Sequence, residues 1–431
     1  MQQGRKIGFW GCTALVVGNV IGMGIFLLPA SLAPYGFNTL IGWGVTVLGC
    51  LAIARVIAHL ASALPGADGP YGYIRQSLGG FPAYVAMWAY WVSLWLTNAA
   101  LATGVVGYMM VAFPTLRVIQ PTVLALALQW LFVGVNLLGV RASGGVQIVT
   151  TILKLMPMVA IAAVGVAVLL LAPDSYTAHP PLTPVSLGGI TAASTIALYA
   201  MLGIESASVP ASRVEDPGRT IPRATIVGTV VTATIYIVVS TVPQLLIPQE
   251  QLGHASAPFA LLMDRFIGIG FGRWLSLFVV VSGLGALNGW TLLAGEVTRT
   301  MASNGVLPTP FARCSRRNAP VLALLTTGVL ASVMVWMNYD KSLVAAFTFL
   351  TRLVTTATLP LYLGCSLAIW VLWRRGAVRA RALMAAAVGV LFVGFAFVGA
   401  GHEALLLGLA LIAAGLPLYI AMRAWQRAHV D

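Results

Sequence analysis

Charge is scarce in this chain. Only 8% of its 431 residues are Asp, Glu, Lys or Arg, and the acids are the scarcer kind, 11 against 24 bases. Soluble domains carry roughly 25% charged residues, so an ordinary water-facing surface is excluded. Cysteine is sparse as well: Cys12, Cys50, Cys314 and Cys365 stand singly, with no CxxC spacing and no histidine cluster nearby. That pattern argues against a disulfide framework and against a metal site. The chain lacks HExxH, a P-loop and any nucleophile–base set. Nothing therefore points to an enzyme, a cofactor or ATP, and any work must be driven by exchange or an ion gradient. The formal charge of +13 is scattered between apolar segments. Nucleic-acid binding would instead gather the bases with aromatics on one face.

What is plentiful is apolar length, with 59% hydrophobic residues and a mean hydropathy of +0.93. A membrane-spanning helix needs about 20 apolar residues. Twelve segments qualify: 9–32, 38–64, 82–113, 121–140, 146–171, 187–211, 222–248, 271–302, 320–338, 343–370, 382–400 and 404–424. The expectation is an all-α polytopic membrane protein, a single transmembrane domain over 1–431. The apolar stretch behind MQQGRKIGFW is too long for a signal peptide and lacks a small-residue cleavage site, so it reads as a retained first span.

With both termini cytoplasmic, only Arg117, Arg265, Arg273 and Lys341 of the twenty-four Lys and Arg residues fall on the far side. Lys154 and Arg352 fall within the membrane, and the rest lie on cytoplasmic ends and loops. This asymmetry obeys the positive-inside rule with both termini cytoplasmic, and the expected location is a bacterial-type cytoplasmic membrane.

Two spans carry interruptions. In the first, Val17-Gly18-Asn19-Val20-Ile21-Gly22-Met23-Gly24 sets three glycines and an asparagine in the middle of an apolar run. In the sixth, Leu202-Gly203-Ile204-Glu205-Ser206-Ala207-Ser208 places a glycine, two serines and an acid at membrane depth. Opened backbone in hydrocarbon loses its hydrogen bonds at several kcal/mol per group unless it faces protein, water or a ligand. Close packing through GxxxG contacts is the plainer explanation for any one such glycine run. Breaks at corresponding places in two five-helix halves, 1–171 and 187–370, fit an inverted-repeat transporter with its site at the midplane better. A channel would be expected to show a filter repeat or polar pore lining, and none is evident. A membrane protein that binds its ligand without moving it stays open as an alternative.

The runs GNVIGMGIFLLPASLA at 18–33, PGADGPYGYIRQSLGG at 65–80, AYWVSLWLTN at 89–98, GIESASV at 203–209 with EDPGRTIPRAT after it, and GWTLLAGE at 289–296 resemble one known family. It is the amino acid, polyamine and organocation transporter superfamily, and within it the bacterial arginine/agmatine antiporters. The likeness keeps motif order from about residue 7 to the end of the chain. It implies a LeuT-like fold of ten core helices in a five-plus-five inverted repeat, two further helices at 382–424, and often a homodimer.

Carried over by position, the resemblance assigns Val20, Gly22, Met23 and Gly24 to the substrate's carboxylate and α-amino group. Trp290 would pack on its aliphatic part, Tyr199 would stack on a cationic end, and Asn98 would meet the far polar group. Ser93, Leu94, Leu101, Leu202 and Thr351 complete the implied substrate set. Tyr90, Glu205 and Lys154 are implied as gating or proton-sensing residues. The backbone logic stands without the family: a half-helix N-terminus suits a carboxylate, and freed carbonyls suit an ammonium. Asn98 can equally be interhelical glue, and Tyr90 and Trp95 equally core.

Three departures from the arginine/agmatine pattern stand out. Met23 replaces a serine, Tyr199 replaces a tryptophan, and the cations Lys154 and Arg352 stand where that subfamily has small or neutral residues. In sodium-independent carriers of the superfamily a fifth-helix lysine takes the place of a sodium ion and tethers the broken first helix. Arg352 lies about 15 Å into its span at helical rise. At that depth it must pair with an acid, line water or meet an anion, and Glu205 and Glu296 are the candidate partners. Two buried cations disfavour a dicationic guest. Exchange of an arginine-like amino acid for its amine is the first expectation, and proton-coupled or exchange transport of neutral amino acids the second.

Overall fold

The computed structural model describes residues 8–67, 69–176, 178, 182–204 and 214–428. They are helical, with no β-strand among the described residues. Among the described residues, eight helices are long and apolar enough to cross a membrane, and five further apolar helices are shorter.

The first apolar stretch folds as two pieces, α1 (Phe9–Val20) and α2 (Gly24–Leu32). After them come α3 (Asn38–Ala63), the amphipathic α4 (Gly69–Leu78), α5 (Gly80–Ala112), α6 (Pro121–Leu137) and α7 (Val140–Leu171). The second half holds α8 (Leu187–Ala200), α9 (Pro217–Leu246), α10 (Gln249–Gly253), α11 (Pro258–Phe266), α12 (Phe271–Ser303), α13 (Val321–Trp336) and α14 (Leu343–Arg374). The chain ends with α15 (Arg381–Gly399), α16 (His402–Ala413) and α17 (Gly415–Ala428).

Uninterrupted apolar sequence explains most of these helices, because in lipid only an intrasegment ladder satisfies every backbone group. Side chains cap several of them: Gln120 accepts from the Thr122 amide, Ser186 from Gly189 and Ser342 from Ala345. Prolines 157, 222, 243 and 360 sit inside helices, as membrane helices tolerate when neighbours cover the freed carbonyl.

Helix α5 forms the centre. In its most apolar 18 residues 83% are buried, against 11% for the stretch covering α16 and much of α17. It packs on α12 and α14, while α3 and α1 lie against α9. Small residues allow these approaches. A Cβ on Gly107 of α5 would collide with the Ser256 carbonyl oxygen, and one on Gly399 of α15 with that of Thr191.

Helix α8 stops at Ala200 and turns through Met201 to Gly203, whose φ of +101° lies in the region that favours glycine. Glu205, Ser206 and Ser208 lie outside the described residues.

Candidate functional site

The interruption in the first span is short and sharp. Helix α1 ends when Ile21 leaves helical geometry (φ −70°, ψ 96°), and α2 starts afresh at Gly24 with no side chain capping its first amides. Two side chains from other helices meet the end of α1. The Tyr236 hydroxyl on α9 donates to the Val20 carbonyl at 2.8 Å, and Lys154 on α7 places Nζ 3.4 Å from the Gly18 carbonyl. Lys154 is 3% exposed, so its ammonium is held at the break rather than drawn out to a polar surface.

Val20, Gly22 and Gly24 open onto a cavity whose walls are Leu101, Tyr199, Leu202 and Trp290, all residues singled out in the sequence. Thr97, Ala200 and Tyr236 complete the lining. The cavity offers about 20 Å³, room for about one water. Tyr199 closes it: the ring stands edge-on to Phe347 at 5.9 Å, and its Cε1 would lie 2.7 Å from a Cβ on Gly24. An occupant larger than a water needs the cavity to widen.

The backbone charges around this space are mixed in sign. The start of α2 presents unpaired amides, the positive end of a helix dipole, while α1 and α8 both finish here with carbonyls, the negative ends. A zwitterion matches such a pair of termini.

Other candidate residues sit further out. Met23 is fully buried and its side chain lies against Gly104 of α5 and Gly283 of α12. Ser93 and Thr351 use their hydroxyls on the helix backbone, donating to Tyr90 and Thr348. Leu94 is buried and Tyr90 half-buried, both on α5. Asn98, also on α5, is fully buried with neither Oδ1 nor Nδ2 partnered. An unpaired buried amide costs about 1–3 kcal/mol per group, so Asn98 is a polar group with hydrogen-bonding capacity to spare beside Thr97.

The two intramembrane-charge questions separate. Glu296 pairs with Arg299 one turn on, at 2.7 Å. Arg352 has no carboxylate partner among the described residues and instead donates to the Tyr35 hydroxyl.

The sequence profile of the amino acid permeases matches residues 7–405. The chain belongs to this amino acid permease family. Relatives run along most of its length. It is 30% identical over 424 residues to the putrescine transporter PotE of Haemophilus influenzae, covering 96% of each chain. It is 29% identical to the putative arginine/ornithine antiporter of Bacillus subtilis, covering 84% of this chain and 83% of that one. The cadaverine/lysine antiporter of Escherichia coli is 30% identical over 76% of this chain and 74% of its own.

Within this permease, sequence reasoning missed Tyr236, Thr97 and Ala200. Thr97 and Ala200 stood beside residues already named, but Tyr236 had no such neighbour. It meets Val20 from 216 positions away, inside an otherwise ordinary apolar span. Replacing Tyr236 by Phe removes the donor and leaves the Val20 carbonyl unpaired, a loss of about 1–3 kcal/mol. Thermal unfolding of Y236F in detergent should begin several degrees lower; an unchanged midpoint would show that the break needs no cap.

Proposed function

We propose that this permease is a secondary active exchanger, trading a cationic amino acid of the arginine class for the corresponding amine by alternating access. One observation carries the reading: a half-helix N-terminus and two helix C-termini converge on a cavity between Tyr199 and Trp290. The helix ends take the α-carboxylate and α-ammonium, and the aromatics take the aliphatic stem and cationic tip. The antiporter names of the relatives support the same substrate class.

The finer architecture belongs to this proposal. It has twelve spans in a LeuT-like arrangement, with two inverted five-helix repeats, 1–171 and 187–370, and helices 382–424 appended. The whole chain acts as one domain in a bacterial cytoplasmic membrane with both termini inside, and as a homodimer. A bundle containing the broken helices rocks against a scaffold containing α5 and α12, with Trp290 on the scaffold and Tyr199 as the moving lid. Tyr90 and Glu205 act as gate residues, Glu205 in response to protons.

Uptake of radiolabelled arginine into proteoliposomes tests the reading, with lumens preloaded with arginine, agmatine, alanine or nothing. Uptake should require arginine or agmatine inside. Net uptake into empty vesicles driven by a proton gradient and competed by alanine would instead favour the second reading, a proton-coupled carrier of neutral amino acids. Lys154 is the observation behind that alternative, because its ammonium reaches the Gly18 carbonyl where a sodium ion would otherwise serve. In either case Lys154→Ala should slow transport about tenfold, since an unpaired carbonyl at the break costs about 1–3 kcal/mol. Rates equal to wild type would remove Lys154 from the mechanism.

A further inference from the structure

Arg352 is the charged group that the exchange mechanism above leaves without a task. It sits on α14 directly after Thr351, half-buried, and its Nε is buried without a hydrogen-bond partner. Its guanidinium donates to the Tyr35 hydroxyl through Nη2, and Nη1 lies 3.2 Å from where a Cβ on Gly401 would stand. Gly401 has φ +80°, a backbone that favours glycine, and the guanidinium lies close against it. The arginine is thus seated against Tyr35 and the Gly401 backbone.

The guanidinium lines a vestibule of about 500 Å³ where the end of α2, the start of α14 and the α15–α16 connection meet. The other charged or titratable groups facing it are Lys341, Glu403, His254 and His402. Glu403 is engaged by Lys341 at 3.4 Å, and Lys341 also stands 3.9 Å from the centre of the Phe349 ring. Glu403 thus pairs with Lys341, no carboxylate among the described residues pairs with Arg352, and the Arg352 Nε has a donor unspent. Guanidinium presents a planar fork whose geometry matches a carboxylate.

We propose that Arg352 makes this vestibule a docking site for the carboxylate of an arriving amino acid, and so selects amino acids over the matching amines at this face. The inference rests on the exchanger reading for its biological meaning, but the anion site itself does not. A zwitterionic head brings an anion to Arg352, whereas an amine of the agmatine or putrescine kind brings only like charge. Attraction and repulsion act on the rate of approach before the central cavity is reached. The exchange is thereby biased: the amino acid docks at this face, and a departing amine is pushed away from it.

Two measurements on purified protein test this. Association of arginine and of agmatine is followed by stopped-flow intrinsic fluorescence for wild type and Arg352→Gln. R352Q should lower the ratio of arginine to agmatine association rates about tenfold, the low end of electrostatic steering, and high salt should narrow the difference between the proteins. Equal rates in both proteins would overturn the selectivity. Carbon-13 acetate then probes the anion site alone: its carboxylate resonance should broaden with wild type and far less with R352Q. Undiminished broadening in R352Q overturns the site whatever the protein carries. If wild type binds neither arginine nor agmatine while acetate broadening depends on Arg352, the exchanger reading falls and the anion site stands. Should R352Q fail to fold, Arg352→Lys keeps the charge but loses the fork, and acetate broadening should drop several-fold; unchanged broadening would overturn the site.

Discussion

A single added methyl group at position 24 should slow exchange by up to about a hundredfold. Gly24 is the first residue of α2, and a Cβ there would lie 2.7 Å from Cε1 and 3.2 Å from Cδ1 of Tyr199. Those are ring atoms of a 6% exposed side chain wedged against Phe347, with little freedom to give way. Overpacking of this kind costs about 1–3 kcal/mol, and here it falls on the closed arrangement that alternating access must visit. Gly24→Ala should therefore reduce arginine counterflow up to about a hundredfold, a factor equivalent to about 2.7 kcal/mol. The double variant Gly24→Ala, Tyr199→Ala separates this cause from loss of the site. Removing the ring should restore the folded stability that Gly24→Ala loses, because the two positions touch and their effects cannot add. Additive losses would mean that Tyr199 is not what Gly24 accommodates.

The second large effect is expected at Trp290. This half-buried indole on α12 lines the same cavity as Tyr199. It offers an apolar face for an aliphatic stem and an electron-rich one for a cation, the latter worth about 2 kcal/mol when desolvated. Trp290→Leu keeps apolar volume but discards the ring, so arginine affinity should fall roughly thirtyfold. A neutral amino acid of similar length should lose much less. Scintillation proximity binding at matched protein concentration measures both, and the thermal midpoint should stay close to wild type. Normal arginine affinity in W290L would move the substrate out of this cavity.

Much of the architecture was legible in the sequence because its signals are local. An unbroken apolar run of about 20 residues has no stable alternative to a helix in lipid, and α3, α5, α7, α9, α12, α14 and α15 follow such runs closely. The glycine-rich stretch 18–24 announced the break between α1 and α2 for the same reason, since glycine is the residue least committed to continuing a helix. Val20, Gly22, Gly24, Leu101, Tyr199, Leu202 and Trp290 border one cavity.

Side-chain direction was another matter. Met23 stands in the break, yet its thioether lies between Gly104 and Gly283, because two glycines on neighbouring helices leave a slot of its size. Ser93 and Thr351 are polar residues at the right depth whose hydroxyls are taken up by their own helices.

The sequence by itself determined that this protein lives in a membrane, which long apolar segments are helical, and where the first helix opens. Those follow from hydropathy, length and backbone freedom, which each short stretch carries independently. Only the tertiary structure decided what closes the opening and what the buried charges meet. Tyr236 reaches the end of α1 from 216 residues away, whereas a Lys154 tether to the broken helix is already implied by the family resemblance and only its partner, the Gly18 carbonyl, is new. Arg352 faces a vestibule beside Tyr35, 317 residues off, rather than pairing with Glu296. Such partners are chosen by which helix faces pack together. That choice depends on small-residue contacts spread over the whole bundle, and leaves no periodic trace near any one of the residues concerned.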